Sequence, residues 1–349
     1  MHKGALSVKI KGKDILNPYI QRLTYIEAVG ELDGMTATFQ VPPGQAKKMI
    51  PLMEPGLPFE VEILDDKGKS AGKREGDIVA VHHEKRGNKW LVTLVGLNYL
   101  HRLRSKHYTQ VWEDPHDKIV KTIAGRAKPS LKAKVQGVST TADFTFQQGE
   151  TDALFLMRLA REHNYYCRVV GKELHFGRRD LTSGSDVELV YRKDVMDIRL
   201  TANLKDHINE VHVFWGDPEK DGTKQTKVTY KKAPKALNSG GKVGADLGKK
   251  AFGAKSLTIG GYDSPMYKNQ SQAKAKAQAE MDVAALDFVE GVLTTRAAYK
   301  ATVGAKVKIK GGGWPFDGTF IMTKVCHQFA FDGLKTEITF KANSLPKSS

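Results

Sequence analysis

Leu334, Thr336, Ile338 and Phe340 alternate with Lys335, Glu337, Thr339 and Lys341 near the C-terminus. A two-residue period of this kind fits an extended strand with one covered and one wet face, and it excludes a helix there. The preceding segment reads as its partners: Lys306–Lys310, a Gly311–Gly318 turn region, then Thr319–Phe329 and a turn at Asp332-Gly333. The first hundred residues repeat the theme. Leu6–Ile10, Gln21–Ala28 and Met35–Val41 have β-like patterns, and Phe59, Val61 and Ile63 alternate with Glu60 and Glu62. Asp77–His83 and Lys89–Leu97 flank Arg86-Gly-Asn88, a hairpin signal, with Leu91, Thr93, Val95 and Leu97 on one face.

Between these β regions the period changes. Asp114-Pro115 reads as a helix start with Pro at the first helical position, followed by Ile119, Val120, Ile123 and Ala124 at helical spacing. A second helix is expected from Thr151-Asp152, with Phe155, Leu156, Leu159 and Ala160 as its stripe, widened by Leu154 and Met157. Asn164 is suited to end it, because Asn tolerates the left-handed conformation. Tyr165–Val170 and Glu173–Phe176 form a hairpin around Gly171-Lys172. Strands resume at Val187–Tyr191, Asp197–Leu204 and Ile208–Trp215, and a small-residue helix is expected over Ser271–Phe288. The fold class is therefore mainly β (α+β), with two β-barrel domains and a small α/β segment between them. The boundaries fall at 1–105, 106–180 and 181–349. Within the last, residues 217–255 hold ten lysines against four acids and few core formers, and read as a basic flexible insertion.

The net charge of +16 favours an anionic partner, although the lysines are widely scattered. No apolar run approaches the ~20 residues that a membrane-spanning helix needs. Residues 1–16 lack the apolar core of a leader, so synthesis in the bacterial cytoplasm is expected, with no membrane insertion by this chain. Two cysteines, Cys167 and Cys326, are too few for a disulfide scaffold or a four-thiolate zinc site.

Gly68-Lys-Ser-Ala-Gly72 has the G-x-S-x-G spacing but follows a turn between two strand patterns and is no strand-to-helix elbow. No H-E-x-x-H, Walker loop or EF-hand loop is present, and Gly311-Gly-Gly313 lacks the rest of a dinucleotide fingerprint. His82-His83-Glu84 is the most ligand-like cluster, but adjacent strand residues face opposite ways, so the two imidazoles do not easily share a metal. Cys326-His327 meets the same objection, and His163 with Cys167 reads as packing at a helix end. Glu150 and Asp152 would be the acid/base pair of a glycoside-cleaving alternative, yet a place in the first helical turn already accounts for them. Arg102, Arg104, Lys106 and His107, with Tyr99 and Tyr108 nearby, together with the basic stretch 217–255, are the nucleic-acid alternative. No catalytic, cofactor-binding or metal residue is assigned, and no enzyme activity is expected.

Three ordered blocks resemble a known family. Asn98–Arg104 with Tyr108 and Asp117–Val120 is similar to the passage from first barrel to helix in phage tail hubs. Phe144–Ala160 with Glu162, Tyr165-Tyr166 and Leu174–Gly177 resembles the helix–hairpin signature of phage late control gene D proteins and VgrG proteins of type VI secretion. The family usually has Gly at the position of Asn164. Phe316–His327 with Gly333 and Thr336 is similar to the family's closing hairpin. The resemblance implies tube-forming barrels in a homotrimeric baseplate hub that adapts a sixfold tail tube to a threefold spike in a contractile phage tail or phage-tail-like injection particle. Implied partners are the tail tube or a tube-initiator protein, a separate spike protein, and a tape measure or cargo in the lumen. A tail-associated cell-wall hydrolase and a basic nucleic-acid-binding protein are the alternatives.

Overall fold

The computed structural model describes residues 5–138, 145–178, 186–205, 207–216, 226–231, 234–260, 267 and 270–347. The first unit consists of β1 (Ala5–Ile10), β2 (Ile20–Ala28), β3 (Gly34–Val41), β4 (Pro58–Leu64), β5 (Ser70–Arg86) and β6 (Lys89–Asn98). They pair antiparallel in the order β1-β4-β5-β6-β3-β2. Alternation sets the core: Leu23 and Tyr25 of β2, Met35, Ala37 and Phe39 of β3, and Phe59, Val61 and Ile63 of β4 all point inward. On β6 the expected set Leu91, Thr93, Val95 and Leu97 does share a face, but Val92 and Leu94 of the opposite face line the core. The Phe59 ring decides this. It lies over Gly96, where an added Cβ would stand 2.4 Å from Phe59 Cε1.

The middle segment comprises β7 (His107–Trp112), α1 (His116–Arg126), β8 (Lys132–Gln136), β9 (Thr145–Thr151), α2 (Asp152–Glu162), β10 (Tyr165–Val170) and β11 (Glu173–Arg178). Pro115 sits at the cap of α1, one place earlier than expected, and its carbonyl accepts from the amides of Lys118 (2.9 Å) and Ile119 (3.0 Å). Thr151 caps α2 by accepting from the Leu154 amide at 3.3 Å. The stripe Phe155, Leu156, Leu159 and Ala160 is buried as expected, but Leu154 is 54% exposed and does not widen it. Asn164 adopts φ 54°, the left-handed termination that its amide side chain tolerates. Both helices share a core with Leu174 and Phe176 of the β10–β11 hairpin, and β8 adds a parallel strand to that hairpin.

Beyond residue 186 the elements are β12 (Val187–Val190), β13 (Val195–Ala202), β14 (Glu210–Trp215), β15 (Thr226–Tyr230), α3 (Gly244–Phe252), β16 (Ser256–Ile259), α4 (Gln270–Leu286), β17 (Val289–Thr295), β18 (Lys306–Lys310), β19 (Gly318–Ala330) and β20 (Gly333–Ala342). In β20, Leu334, Thr336, Ile338 and Phe340 are buried, as the alternation predicts. The path β19-β20-β17-β13 continues directly from β2, so both β units belong to one twelve-stranded sheet, with β18 and β12 branching from β19. The seam is the β2–β19 ladder, which pairs Leu23 with Phe329, Tyr25 with His327 and Ala28 with Lys324.

Within 217–255, where a basic flexible insertion was expected, the described residues include β15 and α3; residues 217–225, 232 and 233 lie outside the described residues. β15 and β16 flank β14, and α4 covers them through Ala273, Ala277 and Met281, so Val211 and Val213 are buried in a small core of their own. α3 lies close to the second β unit because its inner face is small. A Cβ at Gly244 would fall 2.3 Å from Phe288 Cγ, and one at Gly248 3.0 Å from His207 Cδ2. The apolar content is low because glycine and alanine do the packing.

Candidate functional site: a buried polar junction

Inward positions on β2 run Leu23, Tyr25, Glu27, so the strand's alternation places a carboxylate in the interior, 1% exposed. A buried charge persists only when it is paired and hydrogen-bonded. Glu27 Oε1 accepts from Arg74 Nε of β5. Its Oε2 accepts from Thr302 Oγ1 at 2.6 Å and from the Val303 amide at 3.2 Å, both in the β17–β18 connection. Arg168 of β10 reaches the same connection, donating to the Val303 carbonyl (2.8 Å) and Thr302 Oγ1 (3.0 Å). The first β unit, the middle segment and the second β unit are therefore tied at one point.

A second carboxylate lies close by. Asp33 Oδ2 accepts from Asn98 Nδ2 at 3.1 Å, and the Asp33 carbonyl accepts from the Asn98 amide at 2.9 Å. Glu27 and Asp33 both line a small cavity of about 10 Å³ with Cys167, Arg168 and Val303. Burial pushes the Glu27 carboxyl up, but Arg74 and Arg168, with the Thr302 hydrogen bond, outweigh it and hold the group at about 2. For Asp33 burial wins; reinforced by the negative charge of Glu27, it lifts the carboxyl to about 7. Gly304, at φ 87°, lets Tyr166 close the junction, since a Cβ there would stand 2.4 Å from Tyr166 Cε2.

His327 belongs to this seam. It is wholly buried on β19, with Nε2 3.3 Å from the Ala301 carbonyl and Nδ1 2.9 Å from Thr336 Oγ1. The carbonyl can only accept, so Nε2 carries the proton and Nδ1 accepts from the threonine hydroxyl. Burial pulls its pKa down to about 4, which keeps the ring neutral. It is a structural histidine.

The remaining candidates disperse. His82 and His83 are exposed on β5 and pair with Thr93 and Val92 respectively, on opposite faces. Glu84 bonds Arg86 at 2.6 Å. His163 packs against His116 and Tyr165, and burial, with the nearby His116 and Lys276 charges, pulls it to about 3. Burial pushes the Cys167 thiol up to about 12, the reverse of an activated nucleophile. Among the described residues, no group of three His, Cys, Asp or Glu is placed to hold a metal.

Glu150 lies at the end of β9, not in the first helical turn, and accepts from Arg158 Nε at 2.9 Å. Asp152 does open α2, where it accepts from Arg126 (3.0 Å) and Gln147 (3.0 Å). The basic run is also rearranged. Arg102 makes a two-point bond with Asp77 at 2.7 and 2.9 Å and lies over the buried Tyr99 ring, while Arg126 covers Tyr108. Arg104, Lys106 and His107 remain exposed without those aromatics. Gly311 and Gly313 take positive φ in the turn between β18 and β19.

Three comparisons bear on this architecture. No curated protein matches the sequence. Among solved structures, a 43 kDa tail protein of prophage MuSo2 from Shewanella oneidensis superimposes at TM-score 0.67 and 12% identity, covering 97% of this chain and 98% of that one. A tail protein from Neisseria meningitidis MC58 gives TM-score 0.67 at 15% identity, covering 97% and 96%. An E. coli type VI secretion component, described as similar to the T4 bacteriophage tail proteins gp27 and gp5, gives TM-score 0.60 at 12% identity, covering 98% and 77%. At such identities the shared property is the fold, and it extends over nearly the whole chain. The family model for the Alg8 N-terminal domain matches residues 99–330, about two-thirds of the chain, and the chain therefore belongs to the Alg8 N-terminal domain family.

Proposed function

We propose that this chain is a structural baseplate hub of a contractile phage tail or phage-tail-like injection particle, homotrimeric and placed between tail tube and spike. The observation that carries this reading is near-complete mutual coverage with a phage tail protein, 97% of this chain and 98% of the other. A likeness confined to one β unit would have supported only a shared module. The mechanism is mechanical, and the chain works without catalytic turnover. Force entering one β unit passes to the other through the β2–β19 ladder and the Glu27–Arg74–Arg168 junction. The acids suited to glycoside cleavage, Glu150 and Asp152, are both held by arginines, which favours the structural reading over a hydrolase.

Multi-angle light scattering across a concentration series, combined with pull-down of the cognate tube protein, tests the proposal. Trimers, or tube binding, support it. A strict monomer that also fails to bind tube protein sinks it. Peptidoglycan cleavage abolished by Glu150→Gln would replace it with the hydrolase reading.

A further inference from the structure

Residues 226–255 contain eight lysines and one acid, Asp246. Their folding into β15 and α3 fixes part of that charge in place. α3 turns its buried small residues Gly244, Ala245 and Gly248 to the protein and leaves Lys249, Lys250 and Phe252 exposed. Phe252 is 77% exposed at the helix end. Lys255 is anchored just beyond it: its amide donates to Asn209 Oδ1 at 3.2 Å, and its Nζ to the Lys205 carbonyl at 3.2 Å. Among the described residues, neither Lys249 nor Lys250 forms a salt bridge, and Glu210, which feels the charge of Lys249, is bonded instead by Lys231 at 3.1 Å.

A large aromatic left in water beside unpaired cations on a pinned helix has the composition of an interaction hot spot, an apolar anchor within a charged rim. We propose that the outer face of α3 is a docking surface for an acidic partner protein, with Phe252 entering an apolar slot and Lys249 and Lys250 meeting carboxylates around it. Two observations favour protein over nucleic acid. The surface is the convex face of a helix, not a groove that tracks a backbone. It also carries a single aromatic and no arginine, whereas single-strand binders stack successive bases on several rings. The inference does not depend on the hub reading, and a monomer could equally carry this surface.

The test uses the full chain and three fluorescent probes of matched charge: poly-glutamate, an alternating glutamate–leucine peptide, and oligo-dT. The glutamate–leucine peptide is expected to bind tightest, with affinity falling steeply as salt rises. Phe252→Ala should weaken that peptide by about tenfold while leaving poly-glutamate unchanged. The double change Lys249→Glu, Lys250→Glu should weaken both peptides, and the same reversal at the exposed Lys47 and Lys48 should weaken neither. All substituted side chains are exposed, so an unchanged thermal melt verifies folding in each variant. Equal loss from the Lys47/Lys48 control would reduce the effect to bulk charge and overturn the proposal. Tightest binding to oligo-dT, lost in the α3 variants, would overturn it in favour of nucleic acid.

Discussion

Two buried carboxylates a few residues apart shift in opposite directions: burial, reinforced by the Glu27 charge, raises Asp33, whereas Arg74 and Arg168 outweigh burial at Glu27. Glu27 accepts directly from Arg74; Asp33 accepts from the Asn98 side-chain amide and feels Arg168 and Arg74 only at a distance. Removing the cation alone leaves a buried charge unpaired, so Arg74→Met should cost about 3–5 kcal/mol in urea unfolding at pH 7. Pairing it with Glu27→Gln should recover much of that loss, since Thr302 and Val303 can still donate to an amide oxygen. Equal losses in the single and double variants would rule out this account. The pH dependence follows from the same geometry. Asp33 keeps its proton to about pH 7 when folded but loses it near 3.8 when unfolded. Between those values the folded chain binds more protons, so the Asp33 contribution declines as pH rises from about 4 to 7. Glu27 runs the other way: its contribution is present above about 4.5 and is lost as pH falls towards 2. Asp33→Asn should therefore flatten the stability profile between pH 4 and 7 and raise stability at pH 8. An unaltered slope in that variant, followed by urea unfolding at each pH, would remove Asp33 as its source.

Helices and strands were legible wherever apolar residues carry the period. The Thr151 cap, the stripe from Phe155 to Ala160, the Asn164 stop and the alternation of β20 all follow from local chemistry, and local chemistry is what a sequence displays directly. α3 was missed because its packing face is made of Gly244, Ala245 and Gly248, whose value lies in what they omit. The junction was missed for a different reason. Glu27 falls in step with Leu23 and Tyr25, a visible anomaly, but Arg74, Arg168 and Thr302 are distant in sequence, and only the fold brings them to it. The close approach of α3 can be tested against a helical glycine that has room. Gly244→Ala places a Cβ within 2.3 Å of Phe288 and should cost about 1–3 kcal/mol by overpacking. Gly125→Ala, in α1 with nothing beyond the helix's own backbone and its chain neighbours within 4 Å of the new Cβ, should instead stabilise by roughly 0.5–1 kcal/mol. Thermal melts of the two variants should shift in opposite directions. A neutral Gly244→Ala would mean that α3 does not need its close seat on Phe288.

At the scale of the whole molecule, continuity of the sheet sets how the chain comes apart. β2 and β19 exchange a six-pair ladder across the seam, and Leu334, Phe329 and Tyr299 of the second half pack on the first core. Neither β unit can open without exposing the other's edge, so the two should unfold together. The β14–β16 and α4 module differs. Its buried core is Val211, Val213, Met281 and two alanines, which remove far less apolar surface from water than the cores on either side. A unit with so little buried area belongs at the low end of the local stability scale. Native-state hydrogen exchange followed by mass spectrometry can resolve this. Amides of Val211–Trp215 should exchange by sub-global opening at denaturant concentrations where Leu23–Ala28 and Val325–Phe329 remain protected. Those last two segments should lose protection at a common free energy, as the ladder between them requires. Separate free energies for β2 and β19 would break the argument that the seam transmits load between the two β units, and with it the mechanical half of the hub reading.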